Sequence, residues 1–262
     1  ASDVYKRQKL LSQEGPAFSI ADIDNDGLDD IFIGGAKNQY SHIYKNHGNY
    51  FSIIDQKIFQ NKNLYDHTAS SFFDADNDGD FDLMIGVGGN EIWDSFYYYT
   101  RLYLNNGNGK FTKKKLNINT VNTNTSVIKP IDYDNDGDLD VFIGSRSVAG
   151  TYGIDPKHIF LENIGEGNFV DSTQKIIYDI YNAGMITDAK WVDINNDNYK
   201  DLITTSDWGS VNIYKNDGYQ LKNVQSNLST FKGIWEAIES SDLDGDNDMD
   251  LILGNQGENT LY

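Results

Sequence analysis

Aspartate side chains recur at alternate positions within short acidic segments of this 262-residue chain. The shared pattern is D-x-D-x-D-G-x-x-D, which places carboxylates at positions 1, 3, 5 and 9 and offers the backbone carbonyl of position 7. Alternating side chains in a tight loop converge on one point, and Ca²⁺ prefers six to eight oxygen ligands. Glycine at position 6 permits the sharp reversal that such a loop needs. The pattern therefore predicts a calcium-binding loop.

Five copies of the nine-residue segment align without gaps and begin roughly 50 to 60 residues apart. The predicted structural calcium ions, up to five, would be bound by Asp22, Asp24, Asp26 and Asp30 in copy 1; Asp74, Asp76, Asp78 and Asp82 in copy 2; Asp132, Asp134, Asp136 and Asp140 in copy 3; Asp193, Asn195, Asp197 and Asp201 in copy 4; and Asp242, Asp244, Asp246 and Asp250 in copy 5.

The segments could instead be solvated turns, since Asp, Asn and Gly are ordinary turn residues. The concentration of negative charge favours calcium binding over this simpler alternative. Neighbouring carboxylates repel by about 1 kcal/mol per pair in water and by several at an effective dielectric of 20. Repeating that repulsion five times in register favours a bound cation. The net charge of −19, from 40 acidic and 21 basic residues, also disfavours partners with phosphate backbones or anionic lipid surfaces.

Other metal chemistries fit the sequence less well. An EF-hand needs a bidentate glutamate at position 12, where this chain has apolar residues or threonine, and it needs flanking helices. Magnesium resists a dehydrated cage of many oxygens. The chain has no cysteine, which excludes disulfides and thiolate metal sites.

The five copies differ in quality as predicted sites. Copies 1 to 3 keep the full pattern. Copy 4 has Asn195 at position 3 and Asn198 in place of glycine, which predicts weaker binding. Copy 5 keeps its four aspartates but has Gly245 and Asn247, which predicts a shifted turn.

The residues around each acidic segment predict strands. An apolar run such as Ile31-Phe32-Ile33-Gly34 follows each segment at once, and an aliphatic-aromatic pair with Asn-x-Gly follows later, as in Leu102-Tyr103 with Asn105-Asn106-Gly107. With one strand before and one after, each repeat has four strands, A to D, and the acidic loop joins A to B. Four antiparallel strands every ~50 residues are typical of propeller blades, so the prediction is an all-β propeller.

About four and a half blades are predicted, with approximate bounds 9–58, 59–118, 119–178, 179–227 and an incomplete 228–262. The fifth copy ends at Leu261-Tyr262, before its Asn-x-Gly turn, so we expect a fragment of a propeller with seven or more blades. Residues 1–8 lie outside the repeat and are interpreted as a non-native or disordered segment.

The motif D-x-D-N-D-G-D-x-D, followed by an apolar strand and then LYLNNGNGKFT (102–112), resembles the FG-GAP/VCBS repeats of integrin α-subunit propellers and bacterial surface proteins. Longer stretches, such as GMITDAKWVDINNDNYKDLI (184–203), are similar to the bacterial cartilage-acidic-protein-like group, which is associated with ASPIC/UnbV segments. The resemblance implies an exported, calcium-binding propeller located outside the cell or on its surface.

The B–C loops, on the face opposite the acidic loops, are long and irregular, as binding surfaces usually are. Their aromatic and basic residues are candidates for contacting a protein or glycan: Trp93, Tyr97, Tyr98, Arg146, Tyr152 and Trp208. The alternative for these aromatics is that they fill gaps between neighbouring blades.

Three functions are compatible with the sequence. The first is an extracellular adhesion or recognition module with structural calcium and an extracellular protein or glycan as partner. The second is a propeller-type enzyme acting on polysaccharides, such as a lyase, although the four histidines are scattered and no catalytic motif is present. The third is a calcium-braced scaffold. No apolar run reaches the ~18 residues of a transmembrane helix, so membrane insertion is not expected.

Overall fold

The structure is a computed structural model, and it describes residues 15–59, 65–89, 99–118, 123–149, 151 and 153–257. Residues 1–8, interpreted above as non-native or disordered, lie outside the described residues.

Twenty strands are described, and they follow the repeat of the sequence. In blade 1 they are β1 (Phe18–Ala21), β2 (Asp30–Ile33), β3 (His42–Asn46) and β4 (Phe51–Ile54). In blade 2 they are β5 (Asp66–Phe73), β6 (Asp82–Gly88), β7 (Arg101–Leu104) and β8 (Thr112–Lys114). In blade 3 they are β9 (Thr123–Ile131), β10 (Asp140–Val148), β11 (Ile159–Asn163) and β12 (Phe169–Asp171). The remaining strands are β13 (Met185–Val192), β14 (Asp201–Asp207), β15 (Gly209–Ser210), β16 (Asn212–Asn216), β17 (Leu221–Val224), β18 (Lys232–Gly233), β19 (Trp235–Ser241) and β20 (Asp250–Asn255).

Each of the first four repeats forms one antiparallel sheet. The sheet orders are β1-β2-β3-β4, β5-β6-β7-β8, β9-β10-β11-β12 and β13-β14-β16-β17, so strands that are consecutive within a repeat lie side by side. In the described part of the fifth repeat, β19 pairs with β20, and the short strands β15 and β18 form a separate pair. Together with the repeat pattern, these four-stranded sheets confirm the predicted all-β propeller.

Helical structure among the described residues is limited to short segments in the connections. These are one α-helix, α1 (Thr173–Ile176), and 3₁₀ turns at Lys57–Phe59, Tyr178–Asn182 and Asn227–Thr230. Among the residues that the structure describes, no helix has the length and apolar character needed to cross a bilayer.

The second strand of repeats 2 to 4 is buried along its whole length, except for the half-buried Val148 at the end of β10. β6 and β14 are buried at every residue, whereas the outer strand β4 alternates between exposed and half-buried positions. A short continuous apolar run is the pattern of a strand covered on both faces. The apolar run after each acidic segment therefore lies in the interior because its sheet packs between two neighbours.

The hydrophobic core is divided into layers between successive blades. Phe32 of blade 1 packs in one cluster with Leu83 of blade 2, and Met84 of blade 2 packs with Val141 of blade 3. The cluster between blades 3 and 4 continues this order and includes the fully buried rings of Phe142, Phe160 and Tyr214. Face-to-face packing of consecutive sheets is the arrangement by which propeller blades bury their apolar faces.

The first and last described sheets expose apolar side chains on their outer faces. Ser19 of β1 contacts Ser70 of blade 2, whereas Phe18 and Ile20 point to the other side and are 56% and 50% exposed. Ile252 of β20 is likewise 50% exposed. These faces have the apolar character of blade-to-blade surfaces.

The glycine at the end of the apolar run lets the next blade approach closely. A Cβ added at Gly144 would stand 2.6 Å from Val127 Cγ1 and 2.8 Å from Ile186 Cγ2, which belongs to blade 4. The matching residue in the last repeat, Gly254, has its nearest atom 3.6 Å away, at Ala237 Cβ. The same motif position is therefore tightly packed in blade 3 and spacious in blade 5.

We expect Gly144→Ala to destabilise the fold by about 1–3 kcal/mol, because overpacking a well-packed core forces neighbouring side chains and backbone to move. Gly254→Ala is the matched control and should change the free energy of unfolding by less than about 0.5 kcal/mol. Thermal unfolding of these two variants provides the measurement. Equal melting temperatures for the two variants would contradict this account of blade packing.

Candidate cation sites in the acidic loops

All five acidic loops share one backbone conformation. Positions 4 and 6 have left-handed φ angles in every copy: 58° and 85° at Asn25 and Gly27, 59° and 90° at Asn77 and Gly79, 61° and 97° at Asn135 and Gly137, 57° and 71° at Asn196 and Asn198, and 80° and 70° at Gly245 and Asn247. Glycine and asparagine are the residues that enter this region most readily. Copy 5 keeps left-handed residues at positions 4 and 6 with glycine and asparagine exchanged. Its hydrogen bonding is nevertheless shifted by one residue, as the sequence suggested, because Asp242 Oδ1 accepts the N–H of Gly245 at position 4 instead of that of position 5.

The carboxylates at positions 1 and 5 hold the loop through its own amides. In copy 2, the backbone N–H groups of Asp78 and Gly79 donate to the two oxygens of Asp74, at 3.2 and 2.9 Å. Asp80 N–H donates to Asp78 Oδ1 at 3.0 Å. The same three bonds occur in copies 1, 3 and 4. These bonds hold the carboxylates of positions 1 and 5 in place without a bound ion.

The aspartate at position 9 is buried and joins the loop to the third strand of its blade. Asp82 accepts the backbone N–H of Asn105 at 2.7 Å on one oxygen and that of Ala75 at 2.9 Å on the other. Asp140 makes the corresponding bonds to Asn163 and Tyr133, at 2.8 and 3.5 Å. Burial raises the pKa of both carboxyl groups to about 7, against the lowering effect of these hydrogen bonds. The sequence assigned position 9 only as a ligand, and its anchoring role emerges from the fold.

Position 3 supplies the observation that bears most directly on a cation. One oxygen of this aspartate is buried and has no hydrogen-bond partner among the described residues, and this holds for Oδ1 of Asp24, Asp76 and Asp134. Burial, followed by repulsion from neighbouring aspartates, raises the pKa of Asp76 and Asp134 above the ordinary value. A buried carboxylate oxygen without a donor is costly unless a cation binds it.

Carboxylate oxygens converge in four of the five loops. Within each group, one ligand atom per residue lies within 4.8 Å of the others, and the groups are Asp22, Asp24 and Asp30; Asp74, Asp76 and Asp78; Asp132, Asp134 and Asp136; and Asp242, Asp244 and Asp246. Oxygens at this separation fit a cation. In loops 2 and 3, where no described ion pair reaches the aspartates of positions 3 and 5, a hard ion such as Ca²⁺ fits the group, whereas in loop 1 Lys45 Nζ already lies beside Asp24 and Asp26. In copy 5, all three aspartates of the group are exposed.

Copy 4 is arranged differently. The side-chain amide of Asn195 donates to Asp197 Oδ2 at 2.9 Å, and Lys215 Nζ lies 3.7 Å from the same oxygen. Within the described residues, no group of three convergent acidic side chains is found in this loop. Asn195 and Lys215 therefore lower the negative charge beside Asp197, and weaker calcium binding by this loop stays a prediction.

In blades 2 to 4, the asparagine of the Asn-x-Gly motif links the loops of neighbouring blades. Asn163 Nδ2 donates to the carbonyl of Ala75 in blade 2 at 2.9 Å and to that of Leu139 in its own loop at 3.2 Å. Asn105 and Asn216 make the same pair of contacts one blade earlier and one blade later. From the sequence this residue was read only as part of a hairpin turn, although its recurrence at one place in each repeat was the available signal.

A second set of links joins position 4 of one loop to position 7 of the next. The amide of Asn25 donates to Asp80 at 3.1 Å, that of Asn77 to Asp138, and that of Asn196 to Asp248 at 3.0 Å. Blade 4 has Tyr199 at position 7, where blades 2, 3 and 5 have aspartate. The acidic loops thus form a chain of contacts along one face of the propeller.

On the opposite face, the structure describes two of the six candidate ligand-binding residues. Arg146 of β10 is 8% exposed, and its guanidinium donates to Asp207 of β14 at 2.7 and 3.0 Å and to Glu236 of β19 at 3.1 Å. It therefore connects blades 3, 4 and 5. Trp208, directly after β14, is 57% exposed with a left-handed φ of 57°. The other four candidates, Trp93, Tyr97, Tyr98 and Tyr152, lie outside the described residues.

The sheets and the repeated acidic loops define an all-β propeller with candidate cation sites on one face. This chain belongs to the FG-GAP-like repeat family, whose model matches residues 22–85, 91–143 and 193–253. The family assignment confirms the resemblance noted in the sequence for the repeat itself. A comparison with curated proteins finds no significant match.

Among solved structures, the chain is similar to a lectin from Agrocybe aegerita described as recognising non-reducing terminal N-acetylglucosamine. The two share 20% sequence identity with a TM-score of 0.52, and the match covers 81% of this chain and 52% of the lectin. This chain thus spans about half the length of that protein. The biofilm matrix protein Bap1 of V. cholerae is 16% identical over 92% of this chain and 34% of its own, with a TM-score of 0.49. At this identity, the likeness to the lectin shows the fold alone.

We expect Asn163→Ala to lower the free energy of unfolding by about 1–3 kcal/mol, because it leaves two carbonyl groups without their donor at a buried position. The measurement is chemical unfolding in urea, compared with Asn108→Ala, an exposed asparagine in the corresponding turn of blade 2. The control should unfold as the unmodified protein does. If both variants unfold at the same urea concentration, the link between blades contributes nothing.

Proposed function

We propose that this protein is a calcium-binding propeller that acts outside the cell as a recognition or adhesion module for a protein or glycan. The observation that carries the calcium part is the buried, partnerless Oδ1 atom of Asp76 and Asp134, each lying among convergent carboxylates. A cation bound there would offset the repulsion between neighbouring carboxylates, which the described protein groups leave uncompensated. The proposed surface for the protein or glycan ligand is the opposite face.

The donor set favours calcium over other ions. Every proposed ligand is an oxygen, from carboxylates at positions 1, 3 and 5, with position 9 able to share an oxygen that already accepts an amide. When bound, calcium would neutralise the loop and draw its carboxylates together. Extracellular calcium modules have dissociation constants of about 10⁻⁴–10⁻³ M, which suits a loop whose carboxylates are half-exposed. The family resemblance supports an extracellular or cell-surface location, where calcium is abundant enough to fill sites of such affinity.

The face opposite the acidic loops is the proposed surface for a protein or glycan partner. It is formed by the B–C connections, and Trp208 presents an exposed indole there. Aromatic rings stack on sugars and serve as anchors in protein interfaces. The lectin of similar fold is described as recognising N-acetylglucosamine, which makes glycans the first class to test here.

Recognition is proposed in preference to catalysis. A lyase acting on polysaccharides would need a tyrosine, histidine, lysine or arginine cluster open to substrate on this face. Two of the four histidines are buried instead: His67 Nδ1 lies 2.7 Å from Ser41 Oγ, and His158 bonds to Ser145 N and Gly184 O. Burial lowers the pKa to about 3 for His67 and about 4 for His158, so both stay neutral at physiological pH. Arg146 is likewise engaged by two carboxylates.

We expect calcium to raise the melting temperature of chelator-treated protein. At about 10 mM calcium, each occupied site should add about 1.4–2.7 kcal/mol if its dissociation constant is in the extracellular range. Differential scanning calorimetry in chelator, in calcium and in magnesium measures this, and magnesium should restore much less. A melting curve that is the same in chelator and in calcium would refute the calcium proposal.

Trp208→Ala should weaken binding of the protein to an immobilised glycan or matrix protein, because the exposed indole is the proposed anchor. An array of glycans and matrix proteins, probed with and without calcium, identifies the partner and measures the loss. Tyr219→Ala is the matched control, since Tyr219 is 81% exposed but belongs to a turn on the acidic-loop face. Loss of binding in the control alone would place the partner surface on the acidic-loop face.

A further inference from the structure

The residue that precedes the motif asparagine differs in charge from blade to blade. This pre-asparagine position is occupied by Lys45 in blade 1, Leu104 in blade 2, Glu162 in blade 3 and Lys215 in blade 4. The next residue in each case is the asparagine whose N–H bonds to the position 9 aspartate. The pre-asparagine position is therefore held at a constant place beside the acidic loop, whatever its side chain.

In blade 1 the lysine reaches into its acidic loop. Lys45 Nζ donates to Asp24 Oδ2 in a very short hydrogen bond and lies 3.0 Å from Asp26 Oδ2. The lysine side chain is 25% exposed and that of Asp24 is 15% exposed, so the contact is largely shielded from water. The hydrogen bonds to Asp24 and Asp26 raise the pKa of Lys45, which remains charged. A positive group thus already lies between the carboxylates of positions 3 and 5.

In blade 4 the same arrangement occurs in weaker form. Lys215 Nζ lies 3.7 Å from Asp197 Oδ2, and Asn195 replaces the position 3 aspartate and donates to that same oxygen. The loop has one carboxylate fewer than the others, one amide donor and one ammonium group nearby. Its negative charge is therefore lower than that of loops 2 and 3, and part of it is offset by Lys215.

Blades 2 and 3 have no such lysine. Leu104 packs against the apolar cluster between blades 2 and 3. Glu162 accepts hydrogen bonds from Ser172 at 2.5 Å and Lys175 at 2.9 Å, and it lines the same groove of about 650 Å³ as Asp134 and Asp136. Among the described residues, no ion pair forms with the position 3 or position 5 aspartates of these two loops.

We propose that lysine at the pre-asparagine position serves as a built-in cation, so that the loops of blades 1 and 4 close on an ammonium group while those of blades 2 and 3 bind calcium. This inference rests on the proposed calcium binding and assigns it to particular blades. Calcium entering the loop of blade 1 would have to displace Lys45, and the displaced ammonium would remain tethered beside a divalent ion of like charge. That repulsion selects against calcium in this loop.

Isothermal titration of chelator-treated protein with calcium tests the assignment. Asp134→Ala should remove one calcium site, whereas Asp24→Ala should leave the calcium stoichiometry unchanged because its loop holds lysine instead. Asp24→Ala should still lower the melting temperature in chelator, since it breaks the ion pair with Lys45. A loss of one site in Asp24→Ala would overturn the inference.

Substitution of the lysine gives the converse test. Lys45→Leu, which copies the residue of blade 2, should add one calcium site, lower the melting temperature in chelator and restore it in calcium. Lys45→Arg keeps the positive charge and should add none. If the unmodified protein binds calcium and Lys45→Leu adds no site, the inference is wrong while calcium binding stands. If the unmodified protein binds no calcium at all, the proposed function itself fails.

Discussion

Repulsion between carboxylates held a few ångströms apart is the constraint on which this architecture depends. Each acidic loop orders its aspartates with its own amides, so they converge even before a counter-charge is considered. The buried oxygen of Asp76 or Asp134 then faces like charges without a donor. The two kinds of compensation that we propose are a divalent ion in loops 2 and 3 and a tethered ammonium in loops 1 and 4. The loop backbone is the same in both, because left-handed residues at positions 4 and 6 set it independently of the charge.

Much of the fold could be predicted because the repeat makes each observation four or five times. Alternating aspartates, a continuous apolar run and the Asn-x-Gly turn recur in register, which establishes four strands per unit and their order. The packing between blades was harder to predict from the sequence. The roles of Gly144 and Asn163 depend on which surface of the next sheet faces them, and local pattern does not contain that information.

The sequence predicts which residues form the candidate sites, but it does not predict which positive groups lie beside their carboxylates. The sequence predicted the aspartates of all five loops as ligands, yet it gave no reason to connect Lys45 with Asp24. Asp24 lies in the loop between β1 and β2 and Lys45 in β3, so the two meet only in the folded sheet. It also proposed Arg146 as a ligand contact, whereas its guanidinium lies between Asp207 and Glu236 of the next two blades. An exposed-looking basic residue in a loop cannot be distinguished from a structural one until its neighbours are known.

The links between neighbouring loops have a consequence for how ions bind. Asn77 joins loop 2 to Asp138 of loop 3, and Asn163 returns a bond from blade 3 to Ala75 of loop 2. Ordering one loop therefore removes part of the entropy that its neighbour would otherwise lose on closing. If loops 2 and 3 bind calcium as proposed, this coupling would make the two sites fill cooperatively, over a narrower range of calcium concentration than two independent sites.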